Sequence, residues 1–268
     1  MQITFLGVSS YLSDGFSSNV ILDGDFGDTL LIDCGDDISL SLKAAGREVD
    51  EIDAVYISHL HGDHCGGLEW LGYYSFFMTK KRIQLFIHES LVSDLWNMLR
   101  PAMDTLPGQE TLTLDDYFDV YALSETIDGR WFCFDQKYFY LKKNMHIKSK
   151  TRTMYSYGLF VKDEVRSFFY ISTDTSYDHP YKAGLNFDIL EKQKNLLFQD
   201  CDVMNLSGAH VNYDDLKKLH PDIKNKMWLY HYTDLSKYGG KYGAMPDAVA
   251  DGFAGFIKQG QQFEWEYE

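Results

Sequence analysis

The chain has 268 residues, of which 45% are hydrophobic and 16% aromatic, with 25 basic and 40 acidic side chains and a formal charge of −15. This composition excludes a disordered or low-complexity chain, and the length is enough to bury a substantial core. The acidic balance argues against a protein that grips long nucleic acid, because such proteins usually present a basic face.

The first part of the chain alternates short apolar runs with helical patterns. Strands are predicted over residues 3–6, 19–22, 29–34, 54–57 and 83–87, and helices over residues 38–45, 68–78 and 91–99. The helix predicted at 68–78 is rich in aromatic residues. Its segment from Trp70 to Phe77 is expected to be either buried or a dimer surface.

The second part reads as further strands with fewer helices. Residues 112–150 predict successive short strands, and residues 158–161 and 167–172 predict a hairpin. Later strands are predicted at 195–198, 227–230 and 263–267, with helices at 189–194, at 248–257 and from an N-cap at Asn212 through Leu219. We find no linker or repeat. The interleaved pattern therefore predicts one domain over residues 1–268, an α/β fold of two mixed sheets packed face to face with helices outside.

Four scattered cysteines, with no paired spacing, indicate reduced thiols and a reducing compartment. The first residues lack the basic and apolar regions of a signal peptide, and no apolar run approaches membrane-spanning length. We therefore expect a cytoplasmic protein without membrane association.

A dense cluster of metal-ligating side chains follows the strand predicted at 54–57. His59, His61 and His64 lie within six residues, with Asp63 between them. His59 and His61 are two positions apart, so they can face the same side, and the intervening glycine lets the next two side chains turn toward a second point. Imidazole and carboxylate groups suit zinc and similar ions. A core or pH-sensitive histidine cluster is the alternative, but this density at a strand end favours a metal site.

The run from His59 to His64 resembles the His-x-His-x-Asp-His motif of the metallo-β-lactamase fold. The N-terminal half is also similar to that family, so the resemblance spans nearly the whole chain and implies its αββα sandwich. Three further ligands are implied by their positions in the family pattern. His146 follows a strand midway along the chain, Asp174 ends a strand after a hairpin, and His231 ends a late strand.

The resemblance implies a dinuclear centre, with two zinc ions as the expected cofactors and manganese or iron as alternatives. The first metal would take His59, His61 and His146, the second would take Asp63, His64 and His231, and Asp174 would bridge them. Two such ions, roughly 3.5–4 Å apart, would share a water whose pKa is depressed toward neutrality. Asp33 and Asp200 are expected to orient the ligands from behind, with Cys34 as a further candidate.

One residue outside the ligand set indicates a subgroup. His210 stands just before the predicted N-cap and resembles a histidine of tRNase Z-like phosphodiesterases, which contacts the phosphate and helps to protonate the leaving oxygen. An ordinary surface histidine near a cap is the alternative. By this resemblance, Asp63 and His210 are the predicted catalytic residues.

The spacing of two predicted ligands bears on the substrate. In tRNase Z a long arm that grips tRNA is inserted between the third histidine and the bridging aspartate. Here the corresponding residues, His146 and Asp174, are only 28 positions apart, and one predicted hairpin fills the interval. Together with the charge of −15, this spacing favours a small nucleotide over long nucleic acid.

The run from His64 to Leu71, which leads into the aromatic helix, resembles the anti-Pycsar phosphodiesterases of phages and their bacterial relatives. That resemblance implies a homodimer that opens 3′,5′-cyclic nucleotides such as cCMP, cUMP, cAMP and cGMP to 5′-monophosphates. It also implies a phage counter-defence against cyclic-nucleotide immune signalling. The candidates for stacking on the base are Tyr155, Tyr157, Tyr177 and Tyr232, although plain packing is the favoured role for each one taken singly, because the chain has 19 tyrosines.

Three other functions stay open. A tRNase Z-like RNA-processing endonuclease would need a gripping surface supplied by a partner subunit. A lactonase or thioesterase on the same fold would not need His210. A non-catalytic binding protein would keep the metal site for structure alone. A flavodiiron-type role is disfavoured because an acidic residue is expected where His61 stands, and a β-lactamase is disfavoured because we recognise no export signal.

Overall fold

The computed structural model describes residues 1–124, 131–162, 168–176, 195–204 and 208–266. Its strands are β1 (Gln2–Phe5), β2 (Val20–Asp23), β3 (Thr29–Ile32), β4 (Ala54–Ile57), β5 (Ile83–His88), β6 (Phe118–Leu123), β7 (Phe132–Phe134), β8 (Lys137–Lys148), β9 (Thr153–Lys162), β10 (Phe168–Ile171), β11 (Leu196–Asp200), β12 (Met227–Tyr230), β13 (Gly255–Phe256) and β14 (Gln262–Glu264). These strands form two sheets of seven, in the orders β14-β1-β2-β3-β4-β5-β6 and β13-β12-β11-β10-β9-β8-β7.

Within these described residues, the helices are short apart from one of fifteen residues. They are Ile38–Ala44, Gly62–Cys65, Leu68–Tyr74, Glu89–Met103, Leu114–Tyr117, Tyr213–Leu216 and Pro221–Lys224, with 3-10 turns at Val49–Glu51 and Leu235–Tyr238 and a π-helical turn at Ser75–Thr79. In the ranges given above, every helix is too short or too polar to cross a membrane.

Each sheet combines an antiparallel half with a parallel half. In the first sheet β3, β4, β5 and β6 run parallel, and in the second sheet β10, β11, β12 and β13 run parallel. The carboxyl ends of parallel strands lie at one edge of a sheet, where loops can gather functional side chains. Chain segments that leave β4, β10 and β12 carry most of the predicted metal ligands.

Alternation along the strands divides the core into three layers. In β3, Leu30 and Ile32 pack between the sheets, whereas Leu31 packs against the helices outside the first sheet. A third apolar layer covers the other face of the second sheet and includes Val211 and Phe253. Because successive side chains of a strand point to opposite faces, both sheets bury both faces. The predicted αββα sandwich is confirmed.

Several element predictions are wrong or incomplete. Residues 112–150 contain the helical turn Leu114–Tyr117 and the twelve-residue strand β8, not only short strands. The helix predicted at 248–257 is absent: turns lead into β13, because Gly252 and Gly255 adopt φ values of 91° and 146°, which a right-handed helix does not accommodate. The helix predicted at 189–194 lies outside the described residues.

The predicted cap at Asn212 is also only partly correct. A helix does begin at the next residue, but it ends at Leu216 rather than Leu219, and the Asn212 side chain makes no capping hydrogen bond. Instead, its Oδ1 atom is buried without a hydrogen-bond partner.

Candidate metal centre

The side chains of the His-rich motif are fixed by the strand before them and by a neighbouring loop. The fully buried strand β4 ends two residues before His59. The loop after β3 holds the motif through two backbone hydrogen bonds. Cys34 N–H donates to the His64 carbonyl at 2.7 Å, and Gly67 N–H donates to the Cys34 carbonyl at 2.9 Å. A Cβ atom on Gly67 would lie 2.3 Å from the carbonyl oxygen of Gly35, so this close approach of backbones requires glycine.

The first group of candidate ligands joins three histidines to one oxygen of Asp174. His61 Nδ1 lies 3.1 Å from His59 Nε2 and 3.0 Å from His146 Nε2. Asp174 Oδ2 lies 3.5 Å from His59 Nε2 and 3.4 Å from His146 Nε2. Four donor atoms, from β8 and from the segments after β4 and β10, therefore converge on one point.

The second group uses the other oxygen of the same aspartate. Asp174 Oδ1 lies 3.3 Å from His64 Nε2 and 3.5 Å from His231 Nε2. Asp63 Oδ2 lies 3.5 Å from His64 Nε2 and 3.7 Å from His231 Nε2. The two groups thus share Asp174, one oxygen each, as the sequence comparison with the metallo-β-lactamase fold leads us to expect.

A pair of divalent cations would satisfy the donor atoms better than their contacts with one another do. His64 Nε2 and Asp174 Oδ1 are buried without a hydrogen-bond partner, although both are strong polar groups. In the first group, His61 Nδ1 is the hydrogen-bond neighbour of two imidazole nitrogens at once, on His59 and His146. Buried imidazoles and carboxylates in this arrangement are typical ligands for zinc, manganese and iron.

The pKa values of the side chains in the site favour binding of a cation. Burial opposes ionisation of Asp174, but its interactions with the neighbouring imidazoles of His231 and His64 outweigh this effect and hold its pKa well below the usual value. Burial lowers the pKa of His146 to about 3 and that of His231 to about 4, so both imidazoles are neutral and able to bind a cation at physiological pH. His64 differs, because the negative charges of Asp174 and Asp33 outweigh the effect of burial and raise its pKa.

Asp33, which was predicted to orient the ligands from behind, contacts one of these histidines. Its Oδ2 accepts from the Nδ1 side of His64 at 2.7 Å and from the hydroxyl of Ser58 at 2.9 Å. Asp33 itself adopts φ 59° directly after β3, which aims its carboxylate across the strand ends. The thiol of Cys34, the further candidate, instead belongs to the apolar layer beneath the helices.

The remaining ligands have orienting partners that the sequence did not indicate. His59 Nδ1 lies 3.1 Å from the Ser58 hydroxyl, His231 Nδ1 lies 3.0 Å from the Ser18 hydroxyl, and His146 Nδ1 lies 2.9 Å from the carbonyl oxygen of Ala209. Each contact leaves the other ring nitrogen directed toward the ligand groups. Only Ser58, adjacent to His59, could have been suspected from the sequence.

His210 lies beside both groups rather than on the protein surface. Its Nδ1 is 3.1 Å from Asp200 Oδ2 and 3.8 Å from Asp174 Oδ2, and its ring lies between those of His146 and His231. Burial lowers the pKa of His210, but Asp174 and the hydrogen bond to Asp200 outweigh this effect and raise it to about 9.

Asp200 is fixed by a network of donors. Its carboxylate accepts from the hydroxyls of Ser172 and Thr175, from the Thr175 N–H and from the Gln199 side chain, at 2.6–3.0 Å. The predicted role of Asp200 behind the metal ligands stays a prediction, and the contact that this network fixes is the one to His210.

The candidate ligands form the floor of a cavity of about 690 Å³. His61, Asp63, His146, Asp174, His210 and His231 line the floor, and Ser10, Tyr11, Leu12, Met204, Thr233, Tyr238 and Tyr242 line the outer part. The cavity is large enough for a nucleotide.

A family model described as "Anti-Pycsar protein Apyc1" matches residues 1–263. The chain belongs to the anti-Pycsar Apyc1 family. An anti-Pycsar protein Apyc1 from Paenibacillus sp. (strain J14) is 32% identical over 253 residues, which cover 91% of this chain and 95% of that protein.

Solved structures place this anti-Pycsar family chain in the metallo-β-lactamase fold. The metallo-β-lactamase fold protein YhfI from Bacillus subtilis has a TM-score of 0.68 at 15% identity and covers 98% of both chains. The short form of human tRNase Z has a TM-score of 0.67 at 18% identity, covering 99% of this chain and 100% of that one. Family membership, together with the adjoining histidine and aspartate groups, makes the chain a metal-dependent hydrolase.

Of the four tyrosines predicted to bind a base, the three within the described residues do not line this cavity. Tyr232 is buried and donates its hydroxyl to the Ile257 carbonyl, and Tyr157 is buried beneath a separate, smaller cavity that Tyr155 also lines. Tyr177 lies outside the described residues. The tyrosines of the main cavity are Tyr11, Tyr238 and Tyr242, which no sequence motif marked.

Proposed function

We propose that this chain is a dinuclear-metal phosphodiesterase that hydrolyses 3′,5′-cyclic nucleotides, such as cCMP, cUMP, cAMP and cGMP, to 5′-monophosphates. The observation that carries the proposal is the pair of ligand groups sharing Asp174 with His210 beside them at the floor of a nucleotide-sized cavity. The anti-Pycsar name of its relatives supports a role against cyclic-nucleotide immune signalling, as a phage counter-defence.

The two ligand groups would hold the two cations. One group is His59, His61 and His146 with Asp174 Oδ2, and the other is Asp63, His64 and His231 with Asp174 Oδ1. When bound, two divalent ions lower the pKa of water toward neutrality and neutralise charge on phosphate oxygens. We propose zinc, with manganese or iron as alternatives, because imidazole-rich sites suit all three.

His210 would act on the phosphate and on the departing 3′-oxygen. Asp200 accepts from Nδ1 and so fixes the ring, which makes Nε2 the nitrogen that can deliver a proton. As water adds to phosphorus and the bond between phosphorus and the 3′-oxygen breaks, the 3′-oxygen takes that proton and becomes a hydroxyl group, and the proton that the water gives up restores protonated His210. Asp63, a member of the second ligand group that also lines the cavity, would be the other catalytic residue.

Two features favour a small substrate over RNA. His146 and Asp174 are 28 positions apart, and β9 and β10 occupy much of that interval, which leaves no room for a long tRNA-gripping arm. The charge of −15 also repels polyanions at a distance, whereas one phosphate can be held locally by cations.

A substrate panel tests the proposal against its rivals. Purified, metal-loaded protein is incubated with the four cyclic mononucleotides, with cyclic dinucleotides, with precursor tRNA, and with lactone and thioester substrates. We expect turnover of cyclic mononucleotides and its loss with EDTA. Efficient 3′ cleavage of precursor tRNA, or turnover confined to lactones or thioesters, would replace the proposal with the corresponding alternative.

We also propose a homodimer that includes the aromatic segment from Trp70 to Phe77. Phe77 and the adjacent Met78 are 47% and 69% exposed, and neighbouring apolar side chains at the surface are typical of an interface. Light scattering after size-exclusion chromatography should give twice the chain mass, and the pair of substitutions Phe77→Glu and Met78→Glu should give a monomer. A monomeric unsubstituted protein would contradict the proposal.

A further inference from the structure

The outer part of the main cavity differs in character from its floor. The floor is built from imidazoles and carboxylates, whereas the rim carries Tyr11, Leu12, Tyr238 and Tyr242. Tyr11 is 60% exposed and Leu12 is 90% exposed, although large apolar side chains are usually covered. A ligand with a phosphate at one end and a flat ring at the other would match this division.

Tyr11 lies directly over the metal-binding motif. A Cβ atom built on Gly62 would be 3.5 Å from the Tyr11 hydroxyl oxygen and from a carbon of its ring. Gly62 separates His61 from Asp63, which belong to the first and second ligand groups, respectively. The tyrosine ring therefore stands at the junction between the catalytic floor and the rim.

The loop that carries Tyr11 is fixed to the segment that follows His231. Tyr232 N–H donates to the Val8 carbonyl at 3.1 Å, next to the start of the loop. The hydroxyls of Ser10 and Ser13 lie 3.1 and 2.9 Å from that of Thr233, two residues beyond His231. A loop held in this way places Tyr11 near the ligands before any substrate arrives.

We propose that Tyr11 is the residue that stacks on the base of the substrate. This inference rests on the proposed function. A base presents a π face that an exposed tyrosine ring can cover, and such stacking contributes substantially to binding of single nucleotide units. The hydroxyls of Ser10, Ser13 and Thr233 contact one another and hold the loop.

Steady-state kinetics with cyclic AMP give the first test. Tyr11→Ala should raise KM about tenfold with kcat within about twofold, whereas Tyr11→Phe should retain the KM of the unsubstituted protein because the ring remains. Tyr121→Ala is the matched control, since Tyr121 lies on β6, is 47% exposed and packs against Phe86 of β5, away from the cavity. Circular dichroism verifies that each variant folds.

A binding measurement separates the base from the phosphate. AMP and ribose 5-phosphate differ only by the base, so their ratio of affinities, measured by calorimetry, reports the contact to the base. We expect that ratio to fall about tenfold in Tyr11→Ala and to stay unchanged in Tyr121→Ala.

The outcomes distinguish this inference from the proposed function. Turnover of cyclic AMP with the same KM and the same affinity ratio in Tyr11→Ala would overturn the assignment of Tyr11 and leave the proposed function intact. Absence of turnover in the unsubstituted protein would overturn the proposed function. In that case the calorimetric ratio still decides, because equal affinities for AMP and ribose 5-phosphate would overturn the role of Tyr11.

Discussion

Replacement of His210 by alanine probes the proton donor without removing a proposed metal ligand. The ring is 16% exposed, and its Nδ1 is held at 3.1 Å by Asp200, so it occupies one orientation beside the two ligand groups. Positioned general acids contribute about 10²- to 10⁴-fold in rate, which corresponds to roughly 3–5 kcal/mol of barrier. We therefore expect kcat for cyclic AMP to fall by at least about 100-fold.

The comparison of two substrates isolates the proton transfer. The 3′-oxygen of a nucleotide needs a proton to depart, whereas p-nitrophenolate departs readily without one. His210→Ala should therefore lose less than about tenfold with bis(p-nitrophenyl) phosphate, and metal content should stay at that of the unsubstituted protein. Equal losses on both substrates would refute the general-acid role, and loss of bound metal would show that His210 acts as a ligand.

Three further predictions concern the ligands, the backbone and the thiols. Asp174→Ala removes the carboxylate shared by both groups, so elemental analysis should find both ions lost, whereas loss of one ion would contradict the bridging role. Gly67→Ala would bring its Cβ to 2.3 Å from the Gly35 carbonyl, and denaturant unfolding should show a destabilisation of at least about 1–3 kcal/mol. Cys133 is the exposed thiol, while burial raises the thiol pKa of the other cysteines above the usual value, so they stay protonated at pH 8. Ellman's reagent should therefore label one thiol per native chain, and fast labelling of more would contradict the fold.

The metal motif could be predicted because its chemistry is local in the sequence. His59 to His64 place four ligands within six residues directly after an apolar strand, and β4 has the predicted bounds. The more distant candidates, His146, Asp174 and His231, were predicted from the family pattern, and the structure brings all three to the same cluster.

The contacts that the sequence could not indicate are those between distant segments. Ser18 and His231 are 213 positions apart, and they meet only because the two sheets close on each other. Tyr11 reaches the cavity for the same reason, through the pairing of its loop with the segment after β12. The false helix at 248–257 has a local cause, since its apolar spacing is helical but its glycines take left-handed or extended positive φ values.

Hydrolysis of cyclic nucleotides by protein of known metal content tests the central claim most directly. The account predicts two divalent ions per chain by elemental analysis, conversion of 3′,5′-cyclic AMP to 5′-AMP, loss of activity with EDTA and recovery on addition of zinc or manganese. Protein that carries two ions per chain but turns over none of cCMP, cUMP, cAMP and cGMP would contradict it.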